Sequence, residues 1–115
     1  MTDELRIVDM DKALELMGGQ ELFTEIVGML LDELPDLVDQ LHADAAAGDL
    51  VALSKTAHRL KGNFGVVAAE QAYAAARDLE YAGREEDVAG AELCLVELEA
   101  AIERVVDELR ALIAP

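Results

Sequence analysis

Residues 88–112 read VAGAELCLVELEAAIERVVDELRAL, and their periodicity decides the fold. Val88, Ala91, Leu95, Leu98, Ile102, Val105, Leu109 and Leu112 alternate steps of three and four without a break. That spacing lines one face of a helix. Toward the N-terminus, residues 70–81 are rich in alanine, with Tyr73, Ala76 and Leu79 or Glu80 at similar intervals. Leu50, Leu53, Ala57, Leu60, Phe64 and Val67 repeat the pattern, as do Phe23, Val27, Leu30, Leu34, Leu37 and Leu41. No segment sustains the period-two alternation of a half-buried strand.

Punctuation residues divide the helices. Gly18-Gly19 separates a short leading segment from the next. Gly48 suits the left-handed position just past a helix end, and Asp49 can cap the succeeding helix. Gly83 is expected to end the alanine-rich helix, and Glu85-Glu86-Asp87 places negative charge where the next helix dipole favours it. Pro35 interrupts the second segment, but the apolar register continues past it, which predicts a kink and not a division. The expected elements are a leading helix at about 9–17 and bundle helices at 20–47, 50–66, 69–82 and 86–113, in one domain spanning 1–115. Short connections make consecutive helices antiparallel neighbours. The fold class is therefore all-α, an up-down-up-down four-helix bundle with a short N-terminal helix over one end. An extended coiled coil built on the last segment is the rival; the tight breaks favour folding back, and a monomer is expected.

Composition narrows the function. The chain has 115 residues, 53% of them hydrophobic but only 3% aromatic, so alanine, leucine and valine must fill the core. Its net charge of −16 argues against nucleic acid and against anionic membrane surfaces, both of which attract lysine and arginine. One cysteine, Cys94, cannot form an internal disulfide and fits a reducing compartment. The opening MTDELRIVDMDK has no basic start followed by an apolar run. No stretch approaches the roughly 20 apolar residues of a membrane span. A cytoplasmic location is expected.

One histidine stands apart. With Leu53, Ala57, Leu60 and Phe64 buried, His58 lies about 100° round from Ala57, on or near the solvent side. Lys61, Gly62 and Gly65 share its neighbourhood. Glycine costs a helix interior roughly 1 kcal/mol relative to alanine, and two beside one imidazole make sense if another backbone must approach closely. The alternative is that Gly62 ends the helix and Gly65 lies in a loop. Residues 50–84 hold Lys55, Arg59, Lys61, Arg77 and Arg84 against Glu70, Asp78 and Glu80, so this window is +5 − 3 = +2 and the remainder −18. An exposed imidazole in a locally basic patch suits a bound anion, and Lys61 can pair with a phosphoryl group as a point charge. A neutral imidazole is also a nucleophile. Neither G-x-x-x-x-G-K-[ST] nor G-x-G-x-x-G occurs. Such a chain would carry a phosphoryl group while a partner supplies ATP and metal.

The run Ala57-His58-Arg59-Leu60-Lys61-Gly62, continued through Asn63-Phe64-Gly65-Val66-Val67-Ala68-Ala69, resembles the signature of histidine-containing phosphotransfer (HPt) domains. Gly18-Gly19, Leu34-Pro35, Ala47-Gly48-Asp49 and Leu79-Glu80 also fall where that family has similar elements. The resemblance implies that His58 is phosphorylated, on Nε2, that Lys61 steadies the phosphoryl group, and that Gly62 clears space for a docking partner. Gly65 occupies a position where the family prefers small residues. It implies receiver domains of response regulators or hybrid histidine kinases as partners, Mg2+ on the receiver, and no cofactor of the chain's own. The chain would then be a phosphorelay intermediate and a carrier, not an enzyme.

Three residues depart from the family pattern. Arg59 replaces a small polar residue, with partner choice as its expected effect. Asn63 replaces serine. Ala68 replaces glycine, expected as a mild change on a helix that alters helix packing. Leu22, Ile26 and Val66 are candidate docking residues, equally readable as core. His42 reads as structural, near the end of the second helix. Cys94 reads as a small buried hydrophobe, and Met10, Met17 and Met29 as core or gap fillers. Two rival functions keep the bundle: a phosphorylation-silent adaptor that binds receivers without transfer, and a helical oligomerisation module.

Overall fold

The computed structural model describes residues 9–114. The opening residues 1–8, on which the expectation about secretion rests, lie outside that range, as do the side chains of Met10 and Met17. Five helices account for the regular structure among the described residues: α1 (Met10–Met17), α2 (Gln20–Ala46), α3 (Leu50–Val66), α4 (Glu70–Arg84) and α5 (Val88–Ile113). At 1.5 Å per residue the 27 residues of α2 span about 40 Å, which matches the longest dimension of the body, 41 Å. The helix runs through Pro35 undivided.

Consecutive helices pack on one another. α3 against α4 is the most extensive contact, α5 returns to touch α2, and α1 sits on α2 and α3. Gly83, near the end of α4, meets Leu50 and Ser54 at the start of α3, while Tyr73 near the start of α4 covers Gly65. α3 and α4 therefore run antiparallel. All six stripe residues of α2, Phe23 to Leu41, are buried, together with Leu53, Ala57, Leu60 and Phe64 of α3. Each large apolar side chain withdrawn from water this way contributes roughly 1.5–3 kcal/mol. Asp44 of α2 is buried among them; its carboxylate accepts from Gln40 Nε2 at 2.8 Å and from Thr56 Oγ1 of α3 at 3.1 Å.

Two stripes differ from their expected course. In α5 the buried face runs Ala91, Leu98, Ala101, Ile102, Val105 and Leu109, while Val88 is exposed and Leu95 and Leu112 are half-buried. Steps of three and four average 3.5, and a straight helix drifts about 20° per heptad from that repeat. Across 88–112 the drift is roughly 70°, enough to turn both ends of the stripe out. In α4 the buried face begins at Ala72, not Tyr73, and Glu80 lies on it beside Leu79.

The three connections among the long helices share one design. Gly48, Ala68 and Glu86 each take a positive φ, of 69°, 55° and 53°. Their N–H groups donate to the carbonyls of Ala45, Gly65 and Gly83, and the next residues, Asp49, Ala69 and Asp87, donate to Asp44, Phe64 and Ala82. This paired pattern satisfies the last carbonyls of a helix. Each of those next residues is also the N-cap of the following helix, and the Asp49 and Asp87 carboxylates accept from Ala52 and Gly90 N–H at 3.0 Å. Two expectations are corrected here. Ala68 lies in the left-handed turn beyond α3, not on a helix. Gly83 does not end α4, which continues to Arg84, so α5 starts at Val88 and Glu85 and Glu86 belong to the turn. Gly83 serves packing: a Cβ there would stand 2.8 Å from the Leu50 carbonyl oxygen and 2.9 Å from Ser54 Cβ, prising α3 from α4.

Candidate functional site

The phase of α3 sets the site. Because Leu53, Ala57, Leu60 and Phe64 face inward, the next position round carries His58 outward, and its side chain is 61% exposed. α3 continues through Gly62 and Gly65 to Val66, which removes the reading of Gly62 as a helix terminator. A Cβ on Gly62 would meet only open space, whereas one on Gly65 would touch the Tyr73 ring at 3.5 Å. Clearance therefore exists at Gly62, and Gly65 is half-buried against Tyr73.

The buried stripe of α4 supplies what sequence reasoning missed. Glu80 projects between α4 and α3 with its side chain only 4% exposed, and His58 Nδ1 lies 2.8 Å from its Oε2. Lys61 Nζ is 2.7 Å from Oε1, and an Arg84 guanidinium nitrogen is 2.8 Å from Oε2. Lys61 is thus not a free cation: it is 23% exposed and paired. Burial by itself would raise the Glu80 pKa. Hydrogen bonds from Lys61 and His58, with the charges of Lys61 and Arg84, outweigh it and hold the carboxyl below its ordinary 4.5.

A carboxylate acceptor decides the state of the neutral ring. It takes the Nδ1–H, so the lone pair lies on Nε2, which has no partner among the described residues. The arrangement offers a nucleophilic nitrogen to solvent, one turn from an ammonium.

A family model for the Hpt domain matches residues 25–111. The chain belongs to the Hpt domain family. The phosphotransferase RcsD of Escherichia coli (strain K12) is 36% identical over 72 residues, which are 63% of this chain and 8% of RcsD. The chain therefore spans a small fraction of the length of that relative. No solved structure matches it. Membership of that family supports a role in histidine phosphotransfer within a phosphorelay, the family acting as carriers of the phosphate.

The other candidate residues of this Hpt domain occupy varied settings. Arg59 pairs with Glu33 of α2, at 2.8 Å. Lys55 is exposed and has no ion pair among the described residues. Leu22 and Val66 are exposed, and Ile26 is half-buried against the core. His42 Nε2 lies 2.7 Å from Glu99 Oε1 of α5, a cross-helix contact. Met29 is 71% exposed, which corrects its reading as a core filler; its position on α2 lies off the Val27–Leu30–Leu34 stripe. Cys94 is half-buried, not fully buried, and burial, with Asp78, Glu97 and Asp87 nearby, pushes its thiol pKa up. Among the described residues no three His, Cys, Asp or Glu side chains stand close enough to hold a metal ion, and no helix is long and apolar enough to cross a membrane.

Proposed function

We propose that His58 is the phosphoryl carrier of a phosphorelay, accepting the group from the phospho-aspartate of one receiver domain and passing it to another. The reading is carried by an outward imidazole whose Nδ1 is held by the buried Glu80 carboxylate, leaving Nε2 to react. In the transfer, the Nε2 lone pair forms a bond to phosphorus as the bond from phosphorus to the aspartyl oxygen breaks. Aspartate leaves as a carboxylate. The ring keeps its Nδ1 proton and becomes cationic, and Glu80 faces that charge. The onward step reverses these events on a second receiver. Positioning and charge neutralisation carry most of such a reaction, and in this reading the receiver supplies the Mg2+.

The same reading assigns Lys61 to the phosphoryl oxygens and Gly62 to docking clearance, with a weaker part for Gly65 beneath Tyr73. It includes an up-down-up-down order for α2 to α5, supported by the tight connections and the α5–α2 contact. It also takes the domain to act as a monomer in the cytoplasm. Replacing His58 with glutamine tests it. The variant should take no acid-labile label from a phosphorylated receiver, with helical circular dichroism unchanged. Label persisting in His58→Gln would refute the assignment, and a wild-type chain that binds phosphorylated receivers without accepting label would be an adaptor instead.

A further inference from the structure

Three donors converge on one carboxylate: Lys61 on Oε1 of Glu80, and His58 with Arg84 on Oε2. Glu80 is almost wholly buried, so its charge needs a partner in every state the site passes through. Counting charges shows what Arg84 adds. With the ring neutral, Lys61, Arg84 and Glu80 sum to +1 + 1 − 1 = +1. A phosphoryl group brings about −2 and a cationic ring +1, so the loaded site is near zero. Without Arg84 the same two states are 0 and about −1, and loading would build negative charge beside a buried carboxylate in a chain already at −16.

The geometry divides the work between the two cations. Lys61 lies three residues beyond His58 on the same helix, close enough for its ammonium to reach a group on the ring. To do so it must loosen its 2.7 Å contact with Oε1. Arg84 approaches from α4, four residues past Glu80, and grips the oxygen that also takes Nδ1. Its planar fork of donors can keep a carboxylate paired without help. Building on the proposed role of His58, we infer that Arg84 is a positioning residue of the transfer: it holds Glu80 paired while Lys61 passes from Glu80 to the phosphoryl group.

Potassium phosphoramidate tests this without a receiver. Nε2 bonds to phosphorus, the P–N bond of the reagent breaks and ammonia leaves; phosphorus NMR tracks loading and decay. Arg84→Ala and Lys61→Ala should each load about tenfold more slowly, the scale of one charge-assisted hydrogen bond. The double variant should be little slower than either, because without Arg84 the lysine stays on Glu80. Arg84→Lys should recover most of the rate, and Arg77→Ala, an equal charge change on the same helix, should load like wild type. Unimpaired loading of Arg84→Ala, or losses that multiply in the double variant, would overturn the inference. A wild-type phosphorus signal that survives unchanged in His58→Gln would instead overturn the role of His58, and this inference with it.

Discussion

Asp44 and Glu80 are both buried against α3, yet their partners differ in kind. Asp44 is satisfied by neutral donors, an amide and a hydroxyl, and ties α2 to α3. Glu80 is satisfied by an imidazole, an ammonium and a guanidinium. A carboxylate that only holds two helices together needs donors that stay where they are. One that serves a reacting group needs partners whose charge can change or move, and the clustering of titratable side chains around Glu80 is what singles out the middle of α3 as the proposed site.

The largest effect expected from this contrast is on transfer. Glu80→Gln loses the charge that faces the cationic ring and should slow His58 labelling roughly ten- to a hundredfold, the scale of one or more hydrogen bonds to charged groups. Asp44→Asn keeps groups that Gln40 and Thr56 can bond; it should label like wild type and cost about 1 kcal/mol of stability in thermal melts. Equal labelling by the two variants would erase the distinction. Acid gives a second, smaller signal. The Glu80 pKa is lowered on folding, so its stabilisation is present above the ordinary 4.5 and is lost as pH falls through the lower folded value. Melting temperature should therefore fall more steeply below pH 4.5 in wild type than in Glu80→Gln. The smallest effect sharpens the others by supplying a sturdier background. Exposed Glu86 holds a left-handed backbone, and Glu86→Gly should raise stability by about 0.5–1 kcal/mol without altering labelling. Ala68→Gly should gain less in the same melt, because it also removes a buried methyl group.

Much of this is legible in the residues. The α2 stripe is readable in full because leucine, valine and phenylalanine contrast sharply with the glutamates and aspartates between them. His58 stands out because its phase on α3 is fixed by four buried neighbours. α4 is harder: its alanines give little contrast, so the large Tyr73 draws the stripe one position away from Ala72. Glu80 is hidden by the same ambiguity: it enters as an alternative to Leu79 in the stripe, as half of the family-like Leu79-Glu80 pair and as −1 in the charge count, with no partner attached to it. One signal could have found it. A glutamate beside Leu79 and one turn before Gly83, on the face that must pack against α3, cannot stay ionised without cations, and His58 and Lys61 are the ones α3 can offer. Glu86 escapes a reading of the sequence because left-handed turns are expected at glycine, whereas Ala68 stands where the family pattern has glycine, a hint of the turn that its reading as a helical residue passed over.

The shared caps between helices leave the chain no slack around α3. Asp49 and Ala69 each complete one helix and begin another, so an inserted residue at either junction would disrupt both. It would also turn the downstream helix by about 100°, the angle per residue of a helix. The azimuth of the imidazole is thus locked to that of the core by the brevity of the corners, and length changes in this domain have to be absorbed away from residues 47–49 and 67–69.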